Sequence, residues 1–310
     1  MSSQQKEYKV EKLASGFFFG EGTRWRGGKL YVSDMLGKKV YTIDAAGNKT
    51  VIAEQPHKPN GMGFLPNGDL ILSSMHETKL YRYLPDAPVG NNLELYADLS
   101  SLFTGYIGDM VIDDNGRIYV DDVGARVFDG EALKPGRIVV VEPDRTISVG
   151  LEDCHFPNGI VITPDKKRIV FAETFIEQLT TVDIVDGKLV NRRVFLDMTK
   201  IFASEEDRAQ KRGCVDGIAI DAEGGIWVSA LRSGQYVRVD SEGNVTDRVH
   251  VPGHEVVACT LGGEDGKTLF MSVTKLKGNH KNIFEAMVAL DVETTIFTTR
   301  VAVGRGEGRP

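Results

Sequence analysis

The stretch from Val215 to Ala230, VDGIAIDAEGGIWVSA, decides the fold. It opens on a carboxylate and a glycine, runs into a short apolar strand, breaks at an acidic, glycine-bearing turn, and returns as a second apolar strand. The same order recurs as PNGMGFLPNGDLILSS from Pro59, GDMVIDDNGRIYVDD from Gly108, PNGIVITPDKKRIVFAE from Pro157 and CTLGGEDGKTLFMSV from Cys259, with a looser copy, GEGTRWRGGKLYVSD, from Gly20. With Glu21, Asn60, Asp109, Asn158, Asp216 and Cys259 as landmarks, the copies are separated by 39, 49, 49, 58 and 43 residues.

A period of about 40–50 residues, built from short strands and tight turns, is that of a propeller blade. The sequence therefore predicts an all-β protein, a six-bladed β-propeller with four-stranded blades around a central channel, as one domain over residues 1–310. The early strand around Lys9 to Leu13 is expected to complete the last blade and close the ring. Asn67-Gly68, Asn115-Gly116 and Glu223-Gly224 supply the turn chemistry between paired strands. Residues 198–212, MTKIFASEEDRAQKR, are rich in charge and in helix formers, and are expected to form a helical turn or a loop between blades four and five that lengthens the fourth interval.

Composition agrees. The chain has 34 glycines in 310 residues and 41% hydrophobic content, the profile of many short strands in a packed globule. Its formal net charge is −7 with scattered acids and no basic stripe, so nucleic-acid binding is not expected. The opening MSSQQKEYKV lacks the apolar core of a signal peptide, and no apolar run approaches the roughly 18 residues of a membrane span. These features lead us to expect a soluble, cytoplasmic protein with no membrane partner. Cys154, Cys214 and Cys259, odd in number and widely spaced, are expected to be buried reduced thiols.

In a propeller the first strand of each blade lines the channel, so the residues opening each repeat converge on one mouth. Here these are Glu21, Asn60, Gly108-Asp109, Asn158, Asp216 and Cys259. Carboxylates facing one another in a narrow, partly dry channel repel and raise each other's pKa unless a cation lies between them. A set dominated by carboxylate and carboxamide oxygens suits hard ions such as Ca²⁺, Mg²⁺ or Mn²⁺. The plainer alternative is that these Asn-Gly and Asp-Gly pairs only start turns.

The segments FFFGEGTRW, PNGIVITPD and VDGIAIDAEGGIWVS resemble the family that includes gluconolactonase, regucalcin (senescence marker protein), luciferin-regenerating enzyme and, more distantly, diisopropylfluorophosphatase. The resemblance runs from about Gly16 to Val273. It implies a six-bladed propeller holding Ca²⁺ or Zn²⁺ through a Glu, two Asn and an Asp, with Glu21, Asn158 and Asp216 matching three of these ligands. The family's third blade usually opens on an asparagine, where this chain has Gly108-Asp109-Met110. Either the ion keeps three protein ligands and extra water, or Asp109 substitutes.

The implied activity is a metal-dependent hydrolase opening a small lactone, with Ca²⁺ first among the candidate ions and Zn²⁺, Mg²⁺ or Mn²⁺ after it. Asp216 or Asp109 would take the proton of the attacking water. Asn60, Tyr106, Asp121 and His155 are the expected substrate contacts, with Asp122, Arg126 and His57 beside them. Tyr106 stands where the family commonly has arginine, which points to a substrate less anionic or less sugar-like than gluconolactone. The rival reading is a propeller that binds a divalent ion or a small molecule without turnover.

Overall fold

Six four-stranded antiparallel sheets, each one blade, make up the structure. It is a computed structural model and describes residues 7–309; the first six residues of the polar opening lie outside the described residues. The inner strands are Gly20–Arg26, Pro59–Phe64, Ile107–Ile112, Pro157–Ile162, Val215–Ile220 and Glu255–Gly262. They pack side by side around the ring. Five blades are built from four consecutive strands. In the sixth, Glu11–Phe17 pairs antiparallel with Val292–Arg300 and forms the outer edge, so the start of the chain closes the last blade as expected.

The core lies in layers between blades. Val111, Tyr119, Ile160 and Phe171 fill the seam between blades three and four, while Trp227, Tyr236, Leu269 and Met271 fill that between five and six. Inner strands sandwiched on both faces explain why the repeats read as continuous apolar runs rather than alternating ones. The turn glycines Gly68 and Gly116 have φ of 98° and 86°, a region closed to most side chains.

The expected helical turn or loop is a 3₁₀ turn at Met198–Lys200 followed by a helix at Glu205–Ala209, whose N-cap Ser204 accepts from the Asp207 N–H. A second helix, Ile283–Val288, was not anticipated. Asn282 caps it, and it turns Ile283, Ala286 and Met287 inward over the channel mouth. Among the described residues no helix is long and apolar enough to cross a membrane.

Candidate functional site

One irregularity of the inner strands builds the site. In blade two Pro59 pairs with Ser74 and Met62 with Leu72, so Asn60 and Gly61 together face only Ser73. The same extra residue sets Gly108-Asp109 against Asp121, Asn158-Gly159 against Ala172 and Asp216-Gly217 against Ser229. Blade one has it between Glu21 and Arg24, and blade six at Val257. Such a bulge bends a strand and re-aims a side chain. Asn60, Gly108, Asn158 and Asp216, the first residues of their bulges, then line the mouth, as does Glu21, which pairs with Ser33 just before the bulge of blade one, and the residue that follows lies against the next blade. That contact explains the recurring glycine: a Cβ on Gly61 would lie 2.7 Å from Asp109 Cα, and one on Gly217 2.7 Å from Ala258 Cα.

Counted this way, the sixth position is Val257 and not Cys259. Cys259 lies two residues further along, buried between blades five and six, where its thiol donates to Trp227 O. The three cysteines are free and buried.

Glu21, Asn60, Gly108, Asn158 and Asp216 line a single pocket at the mouth. Asp216 is 5% exposed and its Oδ1 has no hydrogen-bond partner among the described residues. Burial raises its pKa to about 8, against the stabilising hydrogen bond from Asn158, with Asp109 and Glu255 adding repulsion. Withdrawal from water, then the charges of Asp216 and Asp109, push Glu21 well above the ordinary carboxylate range. The Asn158 amide also donates to Thr174 Oγ1 at 3.4 Å, and the Asn60 amide to Ile107 O at 3.3 Å. Among the described residues no group of three or more His, Cys, Asp or Glu side chains is arranged to hold a metal; the donors at the mouth are two carboxylates and two carboxamides. An orphaned buried carboxylate oxygen beside a second carboxylate and neutral amide oxygens suits a hard cation. Glu21, Asn158 and Asp216 are the residues that could hold one.

Blade three departs from the rest, and its departure is internally matched. In the other blades a sizeable side chain at the bulge faces a small one: Glu21 and Ser33, Asn60 and Ser73, Asn158 and Ala172, Asp216 and Ser229. Blade three has the reverse, Gly108 facing Asp121. A Cβ on Gly108 would fall 2.1 Å from Asp121 Oδ1. The Asp121 carboxylate is fully buried and accepts the N–H groups of Gly108 and Asp109, each at 2.8 Å. Asp121 thus lies beneath the strand and does not line the pocket.

Asp109 also lies off the pocket wall, paired with Arg24 Nη2 at 2.7 Å, the two side chains 14% and 6% exposed. Asp122 is buried and accepts from the N–H groups of Thr104, Gly105 and Gly124, bracing a loop. His155 is exposed outside the pocket, its backbone N–H donating to Glu173. His57 is exposed beside Glu77.

Tyr106 does line the pocket, fully buried, and belongs to a feature the sequence reading missed. Its ring stacks on His76 at 4.5 Å and meets Phe128 at 5.8 Å; Phe128 meets Phe284 at 6.0 Å, Phe284 meets Phe175 at 6.1 Å, and Phe175 meets Phe156 at 4.7 Å. The result is an aromatic belt over the polar floor, completed by Phe19, Met35, Met75 and Met287. Burial, then Lys58, lowers the His76 pKa to about 4, so its ring is neutral. The Arg126 guanidinium lies over the outside of the Tyr106 ring, 5.5 Å from its centre. The signal was present in RVFDG, HFPNG, ETFIE and NIFEA, where a phenylalanine sits in an otherwise polar connection.

Residues 19–275 match the model of the SMP-30/gluconolactonase/LRE-like region. The chain belongs to this family. Regucalcin of Danio rerio is 27% identical over 135 residues, 43% of this chain and 42% of that protein. Pentonolactonase XacC of Haloferax volcanii is 26% identical over 159 residues, 49% and 51% of the two chains. In these alignments the chain spans about half the length of each relative. A solved structure described as a calcium-binding protein, regucalcin, from Agrobacterium tumefaciens superposes with a TM-score of 0.76 at 21% identity, covering 98% of this chain and 99% of that one. The family's six-bladed architecture is therefore this chain's own.

Proposed function

We propose that the protein is a hydrolase that opens a small, predominantly apolar lactone or related ester, with one divalent cation, Ca²⁺ first, held by Glu21, Asn158 and Asp216. The observation that carries this reading is the pairing of a floor of two carboxylates and two carboxamides with walls that are almost wholly aromatic and aliphatic. A bound cation supplies a Lewis acid that polarises the scissile carbonyl.

The chain's own residues do the rest. The aromatic belt binds the body of the substrate and excludes water from its faces. Asn60, held by Ile107 O, orients the carbonyl end. Asp216 takes the proton of the attacking water as that water's oxygen adds to the acyl carbon, through whichever of its two carboxylate oxygens the cation does not hold. The ring C–O bond then breaks and the proton passes to the leaving alkoxide, giving a hydroxy acid. Asp109 is the weaker candidate for this step, since Arg24 holds its carboxylate. Membership of a family with a lactonase relative supports the reaction class.

A lactone panel read by a pH indicator tests this, with chelator and then with Ca²⁺, Mg²⁺, Mn²⁺ or Zn²⁺ restored. Metal-dependent acid release from hydrophobic lactones, lost in Asp216→Asn, is the expected result. Full activity in metal-loaded Asp216→Asn overturns the assignment. A second reading, a binding propeller without turnover, draws on Gly108, which brings no side chain to the mouth. Metal binding without acid release across the panel would establish it instead.

A further inference from the structure

The far end of the channel carries a second recess. Inner strands run from the polar mouth to the opposite face, where Arg24, Trp25, Arg26, Met62, Phe64 and Ile112 wall a recess bounded on its other side by Arg305 and Arg309. Residues 304–309 form a strap across that face. Gly304 O accepts from Ala222 N at 2.9 Å, Arg305 N donates to Gly266 O at 2.9 Å, and Arg309 and Ile162 exchange both backbone bonds. These bonds fix the strap to blades four, five and six. Towards blades one and three it is held by side chains alone, Arg305 Nη1 on Trp25 O at 3.1 Å and Arg309 on Asp114.

Four guanidinium groups thus surround one recess, and among the described residues no carboxylate side chain lines it. Asp109 and Asp114 each pair with one of them from outside. Arg26 has only the Phe64 ring beneath it, at 4.7 Å, and no carboxylate partner among the described ion pairs. Arg24 is 5% exposed; its Nη1 donates to Thr23 O and its Nη2 to Asp109 and Met110 O, while its buried Nε has no hydrogen-bond partner among the described residues. Arg26 and Arg305, both exposed, make no ion pair among the described residues, and guanidinium forks left open beside a recess match the geometry of oxyanions.

We infer that this recess binds a small oxyanion, phosphate- or carboxylate-bearing, whose charged end sits among Arg24, Arg26, Arg305 and Arg309 and whose body lies on Met62, Phe64 and Ile112. The ligand clamps the strap onto blades one and two, to which the backbone does not tie it.

The test is thermal unfolding and titration calorimetry of the full chain with inorganic phosphate, phenyl phosphate or benzoate, at ionic strength held constant with NaCl. The expected result is a saturable rise in Tm of about 4 °C at a hundredfold excess over Kd. Arg26→Gln and Arg305→Gln each weaken binding about tenfold, while their unfolding without anion confirms that they are folded. Asp216→Asn, at the other mouth, keeps the same response. Preference for phenyl phosphate or for benzoate identifies the source of the anion and supports the site either way. An equal rise with NaCl alone, or an unchanged Kd in both arginine variants, overturns it.

Discussion

Replacing Gly108 with alanine places a methyl group 2.1 Å from Asp121 Oδ1, well over an ångström inside contact distance. Asp121 cannot simply swing away, because both its oxygens are engaged by backbone N–H groups at 2.8 Å. Burial pushes the Asp121 carboxyl well above the ordinary carboxylate range, so weakening two bonds to it costs about 3 kcal/mol at the upper end of the range for uncharged acceptors, and overpacking adds about 1 kcal/mol more. With an unfolding entropy of roughly 2.1 cal/mol/K per residue, a loss of about 4 kcal/mol lowers the Tm of a chain this size by about 6 °C. Scanning calorimetry with a urea series measures it. The decisive arm is the double variant Gly108→Asn with Asp121→Ser, which restores the large-against-small pairing of blades two and five. It is expected to recover most of the loss, with a coupling of at least about 1 kcal/mol between the sites. A Tm for Gly108→Ala within about a degree of the parent, or strictly additive losses, would refute the exchange.

Further outcomes follow from the same geometry. Asp216 carries a folded pKa of about 8 against an ordinary 3.8; the folded chain therefore keeps a proton that the unfolded chain has lost, and stability in chelator falls as pH rises from about 4 to about 8. Calcium should flatten that slope, and an identical slope in Asp216→Asn counts against the assignment. Asp109→Ala leaves the buried Arg24 charge unpaired and should cost about 3–5 kcal/mol in urea denaturation, whereas kcat per folded molecule stays within severalfold; a collapse of kcat in folded protein would make Asp109 the base. Phe128→Ala removes one face of the aromatic belt and should raise KM for a hydrophobic lactone about tenfold, equivalent to about 1.4 kcal/mol of lost apolar contact. A matching rise for an aldonolactone would show the belt to be merely structural.

The architecture was legible because the blade is a repeat: the apolar pairs and turn glycines of Val215–Ala230 recur often enough to count. The mouth residues Glu21, Asn60, Asn158 and Asp216 were legible for the same reason. Cys259 was misplaced as the sixth opener because the blade-six bulge, Val257-Ala258, carries neither an oxygen nor a glycine to mark it. Asp109 was weighed as the substitute for the missing asparagine because it is adjacent in sequence. The residue that fills the volume is Asp121, thirteen positions on, and only strand pairing reveals that it faces Gly108. The belt was missed because its rings come one at a time from loops of four different blades, with no period to connect them.

The pairing of Glu11–Phe17 with Val292–Arg300 carries a consequence for biogenesis. Contacts spanning nearly the whole polypeptide are the slowest to form, since the chain must surrender the entropy of a very long loop before they repay it. During translation the first strand must wait with open hydrogen-bonding groups until the last one has left the ribosome. Over that interval the nascent protein displays a bare sheet edge, the template on which neighbouring chains aggregate.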